Sequence, residues 1–140
     1  MHLIEAHGSM CRFFYGLPAM ERKSDGHPTG VIHGLSSMLW KLSRENPGYA
    51  AVVFDKGRST ARLALEPAYK AQRKPHPPEL TRQFPLARRA AEIFGFRVIE
   101  SEGIEADDLI ATYARLGADA GHQVVIVSPD KDLCQLIRDG

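Results

Sequence analysis

The chain has 140 residues, 44% apolar and 25% charged, which is one domain's worth of ordinary globular composition with enough length for a core. No run approaches the ~20 apolar residues of a membrane span, and Met1-His2-Leu3-Ile4-Glu5 lacks the basic-then-apolar order of a secretory signal. Cys11 and Cys134 stand far apart with no second pair, which offers neither a disulfide framework nor a zinc motif, so a reducing, cytoplasmic setting is expected.

The net charge of +1 conceals a segregation. Residues 1–55 balance, residues 56–97 carry ten Lys/Arg against three Asp/Glu, and residues 98–140 carry three against nine. A basic middle beside an acidic end suits a polyanion held next to cations, although charge runs also serve as plain solvated surface.

In chain order, Leu3 to Ala6 reads as a first strand, followed by Gly8-Ser9 and the aromatic run Phe13-Phe14-Tyr15. Residues 24–30 are loop by composition. Val31, Leu35, Met38, Leu39 and Leu42 recur at helical spacing until Asn46-Pro47-Gly48 stops the helix. Tyr49 to Phe54, short and rich in Val, predicts a buried strand. Residues 56–79 contain Pro67, Pro75, Pro77 and Pro78 and predict an extended or partly helical excursion, mobile without a ligand.

A second helical stripe runs through Leu80, Phe84, Ala87, Ala91 and Phe94 to Gly95, with Pro85 bending it or confining its regular part to the residues after the proline. Phe96 to Glu100 predicts a third strand. Ala106 to Ala120 predicts a helix with Leu109, Ile110, Tyr113 and Leu116 turned inward. Gln123 to Val127 predicts a fourth strand and Lys131 to Ile137 the start of a helix. Strands alternating with helices imply parallel pairing through right-handed crossovers, an α/β architecture.

In that architecture, acids that end a strand or open the next helix collect at the carboxyl edge of the sheet, where ligands bind. Glu5, Asp55, the Glu105-Ala106-Asp107-Asp108 run and Asp130-Lys131-Asp132 all hold such places. Glu105 and Asp108, three apart, share a helix face, and Asp107 points about a quarter-turn away. Taken singly, each acid has a plainer explanation, as an N-cap or an offset to the helix dipole. Together, hard oxygen donors from separate segments suit Mg²⁺ or Mn²⁺. No Gly-rich phosphate loop, no nucleophile–His–Asp set and no His/Cys grouping for zinc is legible, and the six histidines read as scattered surface or loop residues.

The runs AVVFD, YKAQRKPHPPEL, GIEADDLIATYA and VVIVSPDKDLCQL resemble the 5′→3′ exonuclease domain at the amino end of bacterial DNA polymerase I. That domain belongs to the flap endonuclease family, within the PIN-like fold. The resemblance extends from about Leu3 to Leu136. It implies a Rossmann-like three-layer sandwich with a mostly parallel central sheet, and one partial domain over residues 1–140 whose basic segment, about 56–79, forms an arch. The implied metal-site acids are Glu5, Asp55, Glu105, Asp107, Asp108, Asp130 and Asp132. Arg12, Arg62, Lys70 and Arg73 resemble phosphate contacts on DNA with a 5′ end or flap, Lys70 and Arg73 next to the reacting phosphate. The implied chemistry is phosphodiester hydrolysis assisted by two divalent ions (Mg²⁺ or Mn²⁺) roughly 4 Å apart, with no covalent side-chain nucleophile. Tyr69 is expected to pack on its own helix rather than to stack on a base.

Three departures from the family pattern stand out. Glu5 and His7 occupy an Asp-Gly-Ser turn, Ala61 replaces an aromatic before Arg62, and the family's helix–hairpin–helix module beyond the position of Gly140 is absent, so a separate polymerase or missing carboxyl-terminal portion is an expected partner. A PIN-like ribonuclease and a non-catalytic nucleic-acid-binding remnant are the competing readings. A receiver-like phosphoacceptor domain lacks the acidic pair after its first strand.

Overall fold

The computed structural model describes residues 1–57, 59–72 and 74–138. Four short strands, β1 (His2–Glu5), β2 (Ala50–Val53), β3 (Arg97–Ile99) and β4 (Val125–Val127), form one parallel sheet in the order β3-β2-β1-β4. The helices are α1 (Ala6–Gly16), α2 (Gly30–Ser43), α3 (Thr60–Leu65), α4 (Pro78–Thr81), α5 (Phe84–Ile93) and α6 (Ala106–Asp119), and a 3-10 helix spans Lys131–Leu136.

Alternation along the strands sorts two cores. Ile4 and Val52 face one side and pack with Met10, Leu35, Leu39 and Leu80 from the α1/α2/α4 layer. Leu3, Ala51 and Val53 face the other and pack with Ala106, Ile110 and Leu133. The result is the expected three-layer α/β sandwich, with a sheet that is parallel throughout.

Several elements differ in detail. β1 stops one residue early because Glu5 takes the N-cap of α1. Pro85 divides the expected stripe into α4 and α5, since its ring is tolerated only in a first turn. Tyr113 and Leu116 are solvent-exposed rather than inward, because α6 packs on β1 and β2 through the fully buried Ala106 and Ile110 and leaves its Tyr113 and Leu116 side uncovered. The last helix is 3-10 rather than α.

Two contacts fix the helical layer from residues that carried no sequence signal. Gln83 is buried, and its Oε1 accepts the Val31 and Ile32 N–H groups at 2.9 and 3.3 Å. It thereby serves the start of α2, where Thr29 makes no side-chain cap. Gly34 lies where a Cβ would meet the Phe13 ring at 2.5 Å, so α1 and α2 approach as closely as they do only because that position carries no side chain.

Candidate metal centre and nucleic-acid interface

The chain steps outward from β1 to β2 to β3 and then returns to β4 on the far side of β1. The strand order therefore reverses between β1 and β4, and a crevice opens at their carboxyl ends. Glu5 ends β1, Asp55 follows β2, and Ser128 and Asp130 follow β4, with the first turn of α6 beside them.

Glu5 is 4% exposed, and both its carboxylate oxygens accept the Gly8 N–H, at 2.8 and 2.9 Å. A Cβ at Gly8 would stand 2.6 Å from Glu5 Oε2, so the turn needs glycine for the carboxylate to fold back. Ser128 Oγ reaches Glu5 Oε2 at 3.5 Å, which ties β4 to β1 at this edge. Burial pushes the Glu5 carboxyl above its ordinary value against the pull of Gly8, and the charges of Asp55 and Asp107 push the same way. Asp107 is likewise raised, first by burial and then by Asp130, Asp55 and Glu105, with Lys70 opposing. Asp55 Oδ1 accepts the Ala106 N–H at 2.9 Å and so pins the end of β2 to the start of α6.

Glu105 and Asp108 face a different neighbour, the segment from Ser59 to Pro77. Arg62 donates to both, to Glu105 Oε2 and at 2.9 Å to Asp108 Oδ1, as their shared helix face allows. Lys70 Nζ donates to Glu105 Oε1 at 2.7 Å, and the Tyr69 hydroxyl donates to Oε2 at 3.3 Å. Burial alone would raise the Glu105 carboxyl, but Lys70 and Arg62 outweigh it and leave it below its ordinary value. The Tyr69 ring lies between the two cations, 5.7 Å from Arg62 and 5.1 Å from Lys70. Lys70 itself has φ +55°, a left-handed conformation uncommon for a residue with a side chain.

Thus Asp107 lies within electrostatic reach of Glu5, Asp55 and Asp130, Glu5 also within reach of Asp55, and Glu105 and Asp108 hold the basic segment. Asp130 and Asp132 are exposed, and Asp130 Oδ1 accepts the Asp132 N–H at 2.9 Å, a capping role for the 3-10 helix. Arg12 lies apart from Arg62 and Lys70, exposed in a cleft of about 540 Å³ that His33, Lys41 and Pro129 also line. Arg73 falls outside the described residues.

One expectation is corrected. The histidines read from sequence as scattered, with no His/Cys grouping, but among the described residues His7, Cys11 and His76 place their ligand atoms within 4.8 Å of one another. The sequence shows no such group because His76 lies 65 positions beyond Cys11 and reaches it only through the fold. Of the acids, Glu5, Asp55 and Asp130 accept backbone N–H groups, and Glu105 and Asp108 accept side-chain cations.

A parallel three-layer sheet with acids gathered at its order reversal and a cation-bearing segment across from them defines a PIN-like α/β domain. Residues 1–140 match the model of the 5′-3′ exonuclease, N-terminal resolvase-like domain, and the chain belongs to that family. It is 46% identical to DNA polymerase I of Rhizobium leguminosarum over 98% of its own length and 14% of that protein's. It is 36% identical to a 5′-3′ exonuclease of Aquifex aeolicus, over 99% of this chain and 48% of that one. The chain therefore spans less than half of the length of these relatives. The T5 5′-exonuclease with bound zinc superposes with a TM-score of 0.72 at 23% identity, over 99% of this chain and 52% of that one. The bacteriophage T5 flap endonuclease with DNA and metal ions gives 0.71 at 23% identity, over 99% and 53%. Among the described residues no helix is long and apolar enough to cross a membrane.

Proposed function

We propose that this chain is the acid-bearing part of a metal-dependent 5′-nuclease that hydrolyses DNA phosphodiester bonds near a 5′ end or flap. The observation that carries the reading is the pairing of two opposite fields. Glu5 and Asp107 are both pushed above their ordinary values in one crevice, and Arg62 and Lys70 stand at its border on Glu105. Raised carboxyls mark charge that a divalent cation would relieve, and the donor set is oxygen, which suits Mg²⁺ or Mn²⁺. The relatives' names and the metal ions and DNA in the T5 structures support the same reading.

The residues proposed to hold two such ions are Glu5, Asp55, Glu105, Asp107, Asp108, Asp130 and Asp132. Bound there, the ions would acidify an attacking water and stabilise the phosphate oxygens as the bond breaks. The chain's own side chains do the rest. Arg62 and Lys70 exchange Glu105 for the phosphate they are proposed to grip, Arg73 being a further proposed phosphate contact, and this orients the scissile bond while Glu105 and Asp108 are released toward the crevice. Segment 56–79 is proposed as the arch that admits a single strand, and Arg12 as a second phosphate contact one cleft away.

Incubation of the purified chain with 5′-flap DNA, single-stranded RNA, and either Mg²⁺ or EDTA tests this. Mg²⁺-dependent release of short 5′ DNA products is the expected result. Cleavage of RNA alone would favour a ribonuclease, and DNA binding without cleavage, indifferent to Asp107→Ala, would favour a non-catalytic binder.

A further inference from the structure

Away from the acidic crevice, α1 and the loop before α4 build a second donor set. His7 and Cys11 are four residues apart on one face of α1, with Cys11 Sγ and His7 Nε2 at 3.8 Å. His76 comes from the Pro75–Pro77 loop, and its ring centroid lies 4.7 Å from that of His7. Phe84 sets its ring edge-on to both imidazoles at 6.1 Å and walls one side. All three donors are half-buried, so each is partly desolvated.

We propose that His7, Cys11 and His76 form a site for a thiophilic transition metal of the zinc class, which clips the carboxyl-terminal leg of the basic segment to α1. Two imidazoles and one thiolate are soft or borderline donors that favour Zn²⁺ over Mg²⁺, and a fourth position is left for water. Zinc requires bonds of about 2.0–2.1 Å to nitrogen and about 2.3 Å to sulfur, so the donors must close by about 1 Å. Binding expels the thiol proton and turns Cys11 into an anionic ligand. The prolines at 75, 77 and 78 hold the loop stiff around His76. A metal there fixes one leg of the basic segment next to the residue that ends β1, without touching the carboxylates. The site stands independently of the nuclease reading.

Titration of the full chain with Co²⁺ as a spectroscopic substitute tests the proposal, in the presence of excess Mg²⁺ to fill the acidic crevice. The expected result is one equivalent bound with a thiolate-to-cobalt charge-transfer absorption and d–d bands of tetrahedral intensity. Cys11→Ser should abolish the charge-transfer band, His76→Ala should weaken Co²⁺ binding by roughly 100-fold or more, and Cys134→Ser should change neither. Zn²⁺ should also slow tryptic cleavage within residues 59–77 of the wild-type chain, and His76→Ala should remove that protection. A wild-type spectrum without a thiolate band, a band that survives Cys11→Ser or vanishes with Cys134→Ser, or displacement of Co²⁺ by Mg²⁺ would overturn the assignment. If Cys11→Ser fails to fold, a charge-transfer band that persists in Cys134→Ser still assigns the thiolate to Cys11, since these are the two cysteines of the chain.

Discussion

Replacing Glu105 by Gln keeps the shape of the side chain and removes the charge that Lys70 and Arg62 share. Hydrogen bonds to a charged group contribute about 1.5–3 kcal/mol net, neutral ones about 0.5–1.5, so two downgraded contacts lose on the order of 2 kcal/mol. The Arg62 and Lys70 side chains are 36% and 31% exposed, so water recovers part of that loss, and Arg62 keeps Asp108. The expected destabilisation is about 1–2 kcal/mol, a fall in Tm of roughly 3–8 °C. Urea unfolding at low salt and at about 1 M NaCl, where the Debye length is about 3 Å, should show a deficit that shrinks with salt. The pH dependence has a definite sign. The folded-state Glu105 carboxyl lies below its ordinary value of 4.5, so its contribution is present above that value and fades as pH falls through the lowered one. Wild type and Glu105→Gln should therefore converge in acid. With EDTA present, the variant should also bind single-stranded DNA more tightly, because Arg62 and Lys70 each lose one carboxylate that competes with phosphates. Equal stability at neutral pH, or a deficit indifferent to salt, would refute the pairing of Glu105 with this segment.

Asp107→Asn should act with opposite signs in two conditions. The carboxyl is raised in the fold, so its charged form disfavours folding at neutral pH, and Asn should raise Tm without metal while reducing the further rise that Mg²⁺ produces; differential scanning fluorimetry with Mg²⁺ or EDTA reads both. Glu5→Asp shortens the carboxylate arm and should raise Mg²⁺-dependent flap cleavage by about tenfold or more, given that a displacement of ~1 Å can change rates ~100-fold; an unchanged or lower rate would show that the longer side chain is no handicap. Gly34→Ala places a Cβ 2.5 Å from the Phe13 ring and should destabilise by about 1–3 kcal/mol in chemical denaturation, despite the better helix propensity of alanine.

The strands and most helices were legible because their periodicities are local. The sorting of Leu3, Ala51 and Val53 to one core and of Ile4 and Val52 to the other came only with the helices packed on both faces of the sheet. The α6 stripe misled because periodicity names a helix face without saying which part of it the sheet covers: Ala106 and Ile110 meet β1 and β2, and Tyr113 and Leu116 stay exposed. The start of α2 is another such case. Thr29 makes no side-chain cap there, and Gln83, 52 positions beyond Val31, serves its N–H instead.

The order of strands, helices and acids along the chain is enough to bring Glu5, Asp55, Asp107 and Asp130 to one edge, since a parallel crossover returns every strand in the same direction. Which donors then meet is a matter of packing. Glu105 closes on Arg62 and Lys70, and His76 arrives beside His7 and Cys11, through contacts between segments 35 or more positions apart. Neither a propensity nor a spacing rule encodes distances of that kind; they exist only once the layers have stacked.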